Sequence, residues 1–462
     1  MEFSYRKGTS LVYKRVLTLL IILFALIIGV ASSFYTYNFF VLFLGIFIFS
    51  TLLFLMAAKT EKTVSNLTII MISSLFLLPS YSVAGFGLRL EDFIVVILGI
   101  FMLFVFFRKY VEIETSFNKW IFAFTIYVFL ISIINIVFNN LNPVYLFYYL
   151  KEVQYFIYFF VLLYATRYAK FRIKFIKLLL IMSLVTMAWG AYQLLFNNTV
   201  GYYGIGVLSE TSSSQSGGLY FLISVFFLYM INITKRNIKR TVYFLLFIGS
   251  VGLVLATVSR TAIMALTVVY PLYMIFTIFR IKAIRVVIWL YVIILTSPIL
   301  YWLLRDYLYT ITERLSRIDS GSSIRSRKWE WILSYGSDLG FVFGEGRGFA
   351  QTVTGGFTLG TDSQYVRNIL ELGAVGTTLF MFIILGLLFF AFKNLKSMYA
   401  ESLFIILVTV GFLVMSVTHE VFLVTIQASM FWILMGGFVG LIIHAKKDQN
   451  RSKVQLEQTV WY

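Results

Sequence analysis

The chain has 462 residues, of which 60% are hydrophobic and 13% charged, and its mean hydropathy is +0.90. Soluble domains hold about 45–50% apolar and about 25% charged residues, so this composition excludes a soluble globular protein. The absence of cysteine excludes disulfides and thiolate metal sites, and two distant histidines do not suggest a histidine metal site. The formal charge of +18 therefore raises the question of which side of a membrane the positive residues occupy.

Apolar runs of about 17–25 residues, the length that a membrane-spanning helix requires, recur along the whole chain. We predict an all-α polytopic membrane protein with about fourteen transmembrane helices in a single domain, residues 1–462. The first apolar run leads to no small-residue cleavage site, so we take it as a span rather than a signal peptide. The predicted spans begin near Val16, Asn38, Val64, Leu90, Trp120, Val144, Phe175, Gly218, Thr241, Thr261, Val286, Ser363, Glu401 and Val421.

The distribution of Lys and Arg predicts the orientation, because cytoplasmic loops of membrane proteins hold an excess of both. With the N-terminus inside, 27 of the 38 basic residues lie on the inner side and 11 on the outer side. Both termini are therefore predicted to be cytoplasmic. Since the basic excess is explained by topology, we expect no nucleic-acid partner.

One connection is much longer than the others. The stretch 305–362, between the eleventh and twelfth predicted spans, is polar and contains glycine, and the predicted orientation places it outside. Loops of this length in compact proteins are usually functional or disordered. Aromatic residues such as Trp329 and Phe349 are interspersed among its charged residues. This pattern predicts a folded extracytoplasmic loop with short helices that packs on the membrane part.

The eleven outer basic residues depart from the positive-inside rule, and they are the candidate functional residues of the chain. Several lie at predicted ends of spans, where a guanidinium can face a water-filled cavity. Arginine matches phosphate oxygens bidentately, and lipids supply the phosphates nearest to a membrane surface. The eleven are Arg89, Lys151, Arg260, Arg305, Arg314, Arg317, Arg325, Arg327, Lys328, Arg347 and Arg367.

Three segments that contain some of these residues have a structural interpretation as well as a functional one. Arg260, in the only polar break (VSRT) between two apolar runs, either snorkels to outer headgroups or lies in an anion-binding cavity. Arg325 and Arg327, in SIRSRKWEW, lie either on a solvated helix face or in a site. The GEGRG sequence of residues 344–348 forms either a tight turn or a phosphate cradle of backbone amides.

Acidic residues at the same side offer a general base. Asp362 and Glu371 are candidate general bases or partners for Arg367, and Asp362 is equally a candidate helix cap. Two further clusters at outer span ends are most simply internal ion pairs: Arg89 with Glu91 and Asp92, and Lys151 with Glu152.

Three features, taken in order, resemble a known family. A hairpin broken by VSRT precedes a long outer loop that contains R-x-x-x-W (Arg325 to Trp329) and a glycine turn (FGEGRGF). The sequence TDSQYVRNILELGAVG then opens the next span. Over roughly residues 253–386 this arrangement resembles the bacterial O-antigen ligase and polymerase superfamily, specifically the Wzy-type polysaccharide polymerases.

The resemblance implies a metal-independent, inverting glycosyltransferase that needs no cofactor. Such an enzyme joins undecaprenyl-pyrophosphate-linked repeat units at the outer face of the bacterial cytoplasmic (inner) membrane, for O-antigen of lipopolysaccharide, capsule or exopolysaccharide. Its implied partners are the lipid-linked glycans, membrane lipids, a chain-length regulator and a flippase. By similarity, Arg260 and Arg325 would hold the pyrophosphate as catalytic residues, with Asp362 as general base. Further substrate-binding candidates are Arg327, Arg347, Arg367, Arg89 and Lys151.

Two alternative functions stay open. Ligases of the superfamily carry a histidine near the start of the span after the large loop, where this chain has Thr361, Asp362 and Ser363. A lipid-linked oligosaccharide flippase has a similar length and number of spans, but it needs no large outer domain. Eight of the eleven outer basic residues lie between Arg305 and Arg367, which favours the polymerase.

Overall fold

The computed structural model describes residues 60–77, 81–83, 86–88, 90–107, 117–138, 146–196, 213–278, 318–353 and 361–459. These residues are mainly helical, apart from turns and one hairpin of two short strands, β1 (Tyr81–Val83) and β2 (Phe86–Leu88), which pair antiparallel. The long helices are α1 (Thr60–Leu77), α2 (Leu90–Phe107), α3 (Asn118–Phe138), α4 (Leu146–Ala165), α5 (Ala169–Phe196), α6 (Ser213–Ile233), α7 (Asn237–Ala256), α8 (Arg260–Ile278), α12 (Gln364–Asn394), α13 (Tyr399–Ser416) and α14 (Thr425–Thr459). Three shorter helices, α9 (Ile318–Leu333), α10 (Asp338–Phe343) and α11 (Phe349–Val353), lie between α8 and α12.

Eight of the described helices are long and apolar enough to cross a membrane, which confirms a polytopic membrane protein of helical class. They are α3, α5, α6, α7, α8, α12, α13 and α14. Eleven of the predicted spans begin within six residues of the start of a described helix. The spans predicted near Val16, Asn38 and Val286 lie outside the described residues. The full number of spans and the side of the termini stay predictions.

Three helices form the centre of the bundle. The apolar windows of α6, α13 and α14 are 89%, 72% and 94% buried, whereas those of α3 and α7 are 33% and 17% buried. Because bare lipid gives helices no hydrophobic drive to associate, close packing has to hold them, and small residues allow it. A Cβ atom on Gly436 of α14 would lie 2.3 Å from the carbonyl oxygen of Phe159 in α4. α4 and α14 therefore approach each other backbone to backbone at this glycine.

The described part of the 305–362 stretch is helical and packs on α12. Ile332 of α9, Ala350 of α11 and Leu370 of α12 are buried against one another, with Leu333 and Phe349 around them. The predicted loop with short helices is thus folded where the structure describes it. Its position on the outer side of the membrane stays a prediction.

Helix α12 is broken at one residue. Gly373 has a φ of +64°, outside the helical region, and the turn that follows α10 fits into the break. There the backbone N–H groups of Glu345 and Gly346 donate to the carbonyls of Leu370 and Glu371, at 3.0 and 2.9 Å. The break therefore frees helix carbonyls, and a second segment of chain uses them.

We predict that Gly373→Ala destabilises the protein strongly. A left-handed backbone costs about 1–2 kcal/mol in a residue other than glycine, and the new Cβ would lie 2.5 Å from backbone atoms of Val342 and Gly344. The matched control is Gly252→Ala in α7, where a Cβ meets nothing within 4 Å. The apparent melting temperature in nanodiscs should fall for the first variant and stay level or rise for the second. Equal melting temperatures of the two variants would contradict a requirement for glycine at the break in α12.

Candidate functional site

Five charged residues form a connected cluster at one end of the bundle. We call it the arginine–glutamate network, and it consists of Arg347, Arg367, Glu152, Glu371 and Glu420. Two arginines face three glutamates, so the network carries a formal charge of −1. Such buried charges are expensive within a membrane protein and are tolerated when they pair with one another.

Arg347 lies at the centre of the network and is 2% exposed. Its Nε and Nη2 donate to the two carboxylate oxygens of Glu152 at 2.9 and 2.6 Å, a bidentate pair between the 344–348 turn and α4. Its Nη1 donates to Glu371 Oε2 at 3.0 Å and to Asn368 Oδ1 at 3.3 Å. Every nitrogen of this guanidinium therefore has a partner within the protein.

Arg367 extends the network along α12. Its Nε lies 3.1 Å from Glu371 one helical turn later, its Nη1 donates to Glu420, and its guanidinium lies 5.6 Å from the Tyr148 ring centre. Glu420 also accepts hydrogen bonds from the backbone and the hydroxyl of Thr361. Burial by itself raises the pKa of Glu420, but the Arg367 charge and these hydrogen bonds outweigh burial and hold the pKa below its usual value. Glu420 is thus ionised at neutral pH.

The GEGRG sequence forms a tight turn. Gly344, Gly346 and Gly348 have φ values of +87°, +86° and +90°, which glycine adopts without strain. Two amides in this segment, Gly348 N–H and Ala350 N–H, donate to Glu371 Oε1 at 3.1 and 3.3 Å. The turn does cradle an anion, and that anion is a carboxylate of the protein itself.

Asp362 precedes α12 in a left-handed conformation, with a φ of +55°. Its carboxylate pairs with Lys328 of α9 at 2.8 Å, and its side chain is 46% exposed. The cap of α12 is the next residue, Ser363, whose hydroxyl accepts from Val366 N–H, so the cap hypothesis for Asp362 was wrong. Of the two acids proposed as partners of Arg367, only Glu371 pairs with it in the structure.

A second contact holds α9 against the start of α12. Trp329 Nε1 donates to the carbonyl oxygen of Thr361 at 3.0 Å, next to the Lys328–Asp362 pair. Together these two contacts form what we call the α9 latch. Arg327 is exposed, and Arg325 lies two residues before it on the same helix. The R-x-x-x-W sequence is therefore anchored by its tryptophan.

Arg260 begins α8 and lies within the VSRT break predicted from the sequence. Val258 has a φ of +51°, and the hydroxyls of Ser259 and Thr261 lie 3.0 Å apart in the break. Arg260 itself is partly exposed. The position of this arginine at the apex of a helical hairpin follows the sequence prediction.

A chain of contacts connects Arg260 to the end of the bundle that holds the network. A Cβ on Gly217 at the start of α6 would lie 2.6 Å from Ser259, and one on Gly218 would meet Gln427 of α14. The turn before α14 then reaches α12, because Phe422 N–H donates to Gln364 Oε1 at 3.2 Å. The beginnings of α6, α8, α12 and α14 therefore meet at one end.

Lys151 forms an ion pair, as expected, but its partner is not Glu152, its neighbour in the sequence. It contacts Asp92 of α2 at 2.7 Å, and Gln154 donates to the same oxygen at 2.6 Å. Glu152, its neighbour, serves Arg347 instead. The remaining candidate, Arg89, lies outside the described residues.

Sequence reasoning missed two members of this region. Glu420 was not considered as a ligand of arginine, although an acid in the short turn after α13 was a signal that could have found it. Lys328 was counted among the outer basic residues without a role. Among the residues that the structure describes, no group of three or more His, Cys, Asp or Glu side chains could hold a metal ion.

No protein-family model matches the chain, and no curated protein matches it significantly. The class that the fold itself defines is a polytopic, helical membrane protein. Within the described residues, a buried ionic network and a docked amphipathic helix meet at one end of this bundle.

Arg347→Ala should destabilise the protein by about 3–5 kcal/mol, because it leaves buried carboxylates without their counter-charge. The matched control is Arg172→Ala, which breaks a 2.7 Å pair with Asp448, a residue whose side chain is 55% exposed. Such a partly solvated pair is worth about 0–1 kcal/mol. The apparent melting temperature in nanodiscs should separate the two variants clearly. If both melt together, Arg347 is not the stabilising centre of the network.

Proposed function

We propose that this protein is a polysaccharide polymerase that joins undecaprenyl-pyrophosphate-linked oligosaccharide repeat units at the outer face of the bacterial cytoplasmic membrane. The motif resemblance supports this function, and one structural observation carries it further. The helix with the R-x-x-x-W sequence is held by Lys328 and Trp329 against the residues that open α12, beside Asp362. Arg260 begins α8 at the same end of the bundle. These are the components that a donor with a pyrophosphate leaving group requires.

The contacts favour a supporting role for three of the basic residues. Arg347, Arg367 and Lys151 are bound by carboxylates, so a phosphate could bind them only by displacing a buried acid. We therefore assign these three to the support of the site. The motif resemblance, and not the contacts, assigns the pyrophosphate to Arg260 and Arg325, with Arg327 as a further contact. An arginine fork gives two parallel hydrogen bonds to phosphate oxygens, which lysine does not reproduce.

The proposed reaction transfers one glycosyl group. The acceptor hydroxyl attacks the anomeric carbon of the donor and forms the new C–O bond. The bond from that carbon to the pyrophosphate oxygen breaks, and undecaprenyl pyrophosphate leaves with its electron pair. Guanidinium groups stabilise the negative charge that grows on this leaving group. Asp362 accepts the proton of the acceptor hydroxyl, which makes the attacking oxygen more nucleophilic.

Asp362 is the carboxylate that suits this step best among those at this end that the structure pairs with a cation. Its side chain is 46% exposed, whereas the carboxylates of Glu152 and Glu371 are 8% and 0% exposed and bound to arginine. A base must reach the proton that it removes. The left-handed backbone at Asp362 is a further sign of a functional position, since strained residues cluster at active sites.

Asp362→Asn and Lys328→Met separate the base from its ion-pair partner. Asparagine keeps the shape and tolerates the left-handed backbone. If Asp362 is the base, Asp362→Asn should lower the polymerisation rate by about 10²–10⁴-fold, and Lys328→Met much less. Rates come from initial product formation with a lipid-linked repeat unit. Equal losses in both variants would assign Asp362 to the α9 latch alone.

The function itself is tested with purified protein in nanodiscs and an undecaprenyl-pyrophosphate-linked repeat unit, without metal or nucleotide. We expect a product ladder whose steps equal one repeat unit. Arg260→Ala and Arg325→Ala should abolish it, and the Lys variants should stay impaired because they lack the fork. Arg172→Ala, at the opposite end of the bundle, is the matched control and should leave the ladder unchanged.

Two outcomes would overturn the proposal. A full ladder from both alanine variants would exclude the two arginines as the pyrophosphate site. No ladder with a verified native repeat unit, but movement of that lipid across a sealed bilayer, would identify a flippase. In that case Arg260 and Arg325 would bind a transported substrate without bond formation.

A further inference from the structure

The turn between α10 and α11 lies deep along the helices that it contacts. Tyr127 OH donates to the carbonyl oxygen of Phe343 at 2.6 Å and lies 3.1 Å from that of Leu372. Tyr127 is near the middle of α3, eleven residues before its end at Phe138. At a rise of 1.5 Å per residue, Tyr127 lies about 16 Å below the end of the helix, and Asn135, which donates to Gly344 O, lies about 5 Å below it.

The break in α12 gives a second distance from the end of a helix. Gly373, which packs against Val342 and Gly344, lies nine residues after the start of α12 at Gln364. This distance corresponds to about 13 Å along the helix axis. These distances are comparable with half of a bilayer core, which is about 15 Å thick.

Helix α10 presents apolar side chains at that depth. Leu339, Val342 and Phe343 are 72%, 44% and 49% exposed, and their spacing of three and four residues places them on one face. The other face turns inward, since Gly340 is buried against Glu345. An exposed apolar face on so short a helix needs an apolar neighbour.

The neighbouring surface of α3 indicates what this neighbour is. Ile134, Val137 and Phe138 are 47%, 63% and 76% exposed, and all three lie nearer to the end of α3 than the Tyr127 contact does. A membrane-spanning helix exposes such side chains to lipid. The contact between the end of α10 and Tyr127 therefore lies deeper along α3 than these exposed apolar side chains.

We propose that residues 337–350 form a re-entrant element and that lipid hydrocarbon chains of the outer half of the bilayer cover the face made by Leu339, Val342 and Phe343. Irregular backbone is tolerated at membrane depth only where protein groups satisfy it. Here the turn meets that condition, because the broken α12 accepts its N–H groups and Asn135 of α3 donates to Gly344 O at 3.2 Å. The inference does not depend on the polymerase function.

The chain has no cysteine, so single cysteines can be placed and labelled without a modified background. We would put a nitroxide at Leu339→Cys, Val342→Cys and Phe343→Cys, in nanodiscs, and measure collision with oxygen and with a water-soluble nickel chelate. Ile126→Cys, 59% exposed near the middle of α3, is the lipid reference. Gln449→Cys, exposed near the polar end of α14, is the water reference. Size-exclusion profiles check that each variant is folded.

All three α10 labels should collide with oxygen more than with nickel, at ratios close to that of position 126. Ratios closer to that of position 449 would overturn the proposal. The membrane boundary would then lie below Leu372, and the α10 face would be open to water or to a protein partner that nanodiscs lack. Because this readout needs no substrate, its failure is distinct from a failure of the polymerase hypothesis.

Discussion

The bidentate pair between Arg347 and Glu152, completed by Glu371, is the interaction on which the rest of the functional end depends. Moving either charge out of water costs several kcal/mol even after relaxation, and only a fully paired geometry offsets that cost. Glu371 is 0% exposed, and it also accepts two backbone N–H groups of the 344–350 segment. A single carboxylate therefore joins α12 to the turn, and a single guanidinium joins the turn to α4.

Contacts that start at the network position the neighbouring segments one after another. Glu371 holds Arg367, Arg367 holds Glu420, and Glu420 holds Thr361 through two hydrogen bonds. The carbonyl of Thr361 in turn receives Trp329 of α9. Helix α9, which carries Arg325 and Arg327, is thus positioned by a chain of contacts that starts at the network. Such support is what a preorganised electrostatic site requires, because donors that must reorganise during the reaction stabilise less.

Much of this architecture follows from local sequence patterns. Long apolar runs predicted the helices, the polar VSRT break predicted a hairpin with Arg260 at its apex, and Glu371 was one of two candidate partners of Arg367. For GEGRG, a tight turn was one of the two interpretations. These features depend on periodicity and on backbone freedom, which a sequence displays directly.

The remaining features depend on tertiary packing. Arg347 and Glu152 are 195 residues apart in the chain, and either could have paired with a closer charge. Gly373 sits in the continuous apolar pattern of α12, which gives no sign that the helix breaks there. The depth of the turn along the helices is visible only from its contacts with Tyr127 and Asn135 of α3 and with Gly373 of α12. Sequence reasoning therefore located the charged residues but could not show which of them are bound by carboxylates of the protein.

A structure of the protein in nanodiscs with undecaprenyl pyrophosphate tests this division of roles most directly. We expect pyrophosphate density in contact with the guanidinium groups of Arg260 and Arg325, while Arg347 keeps its bonds to Glu152 and Glu371. Density for the pyrophosphate against Arg347 or Arg367, with Glu152 or Glu420 displaced, would contradict the account. The network would then be the binding site, and the α9 arginines would lie outside it.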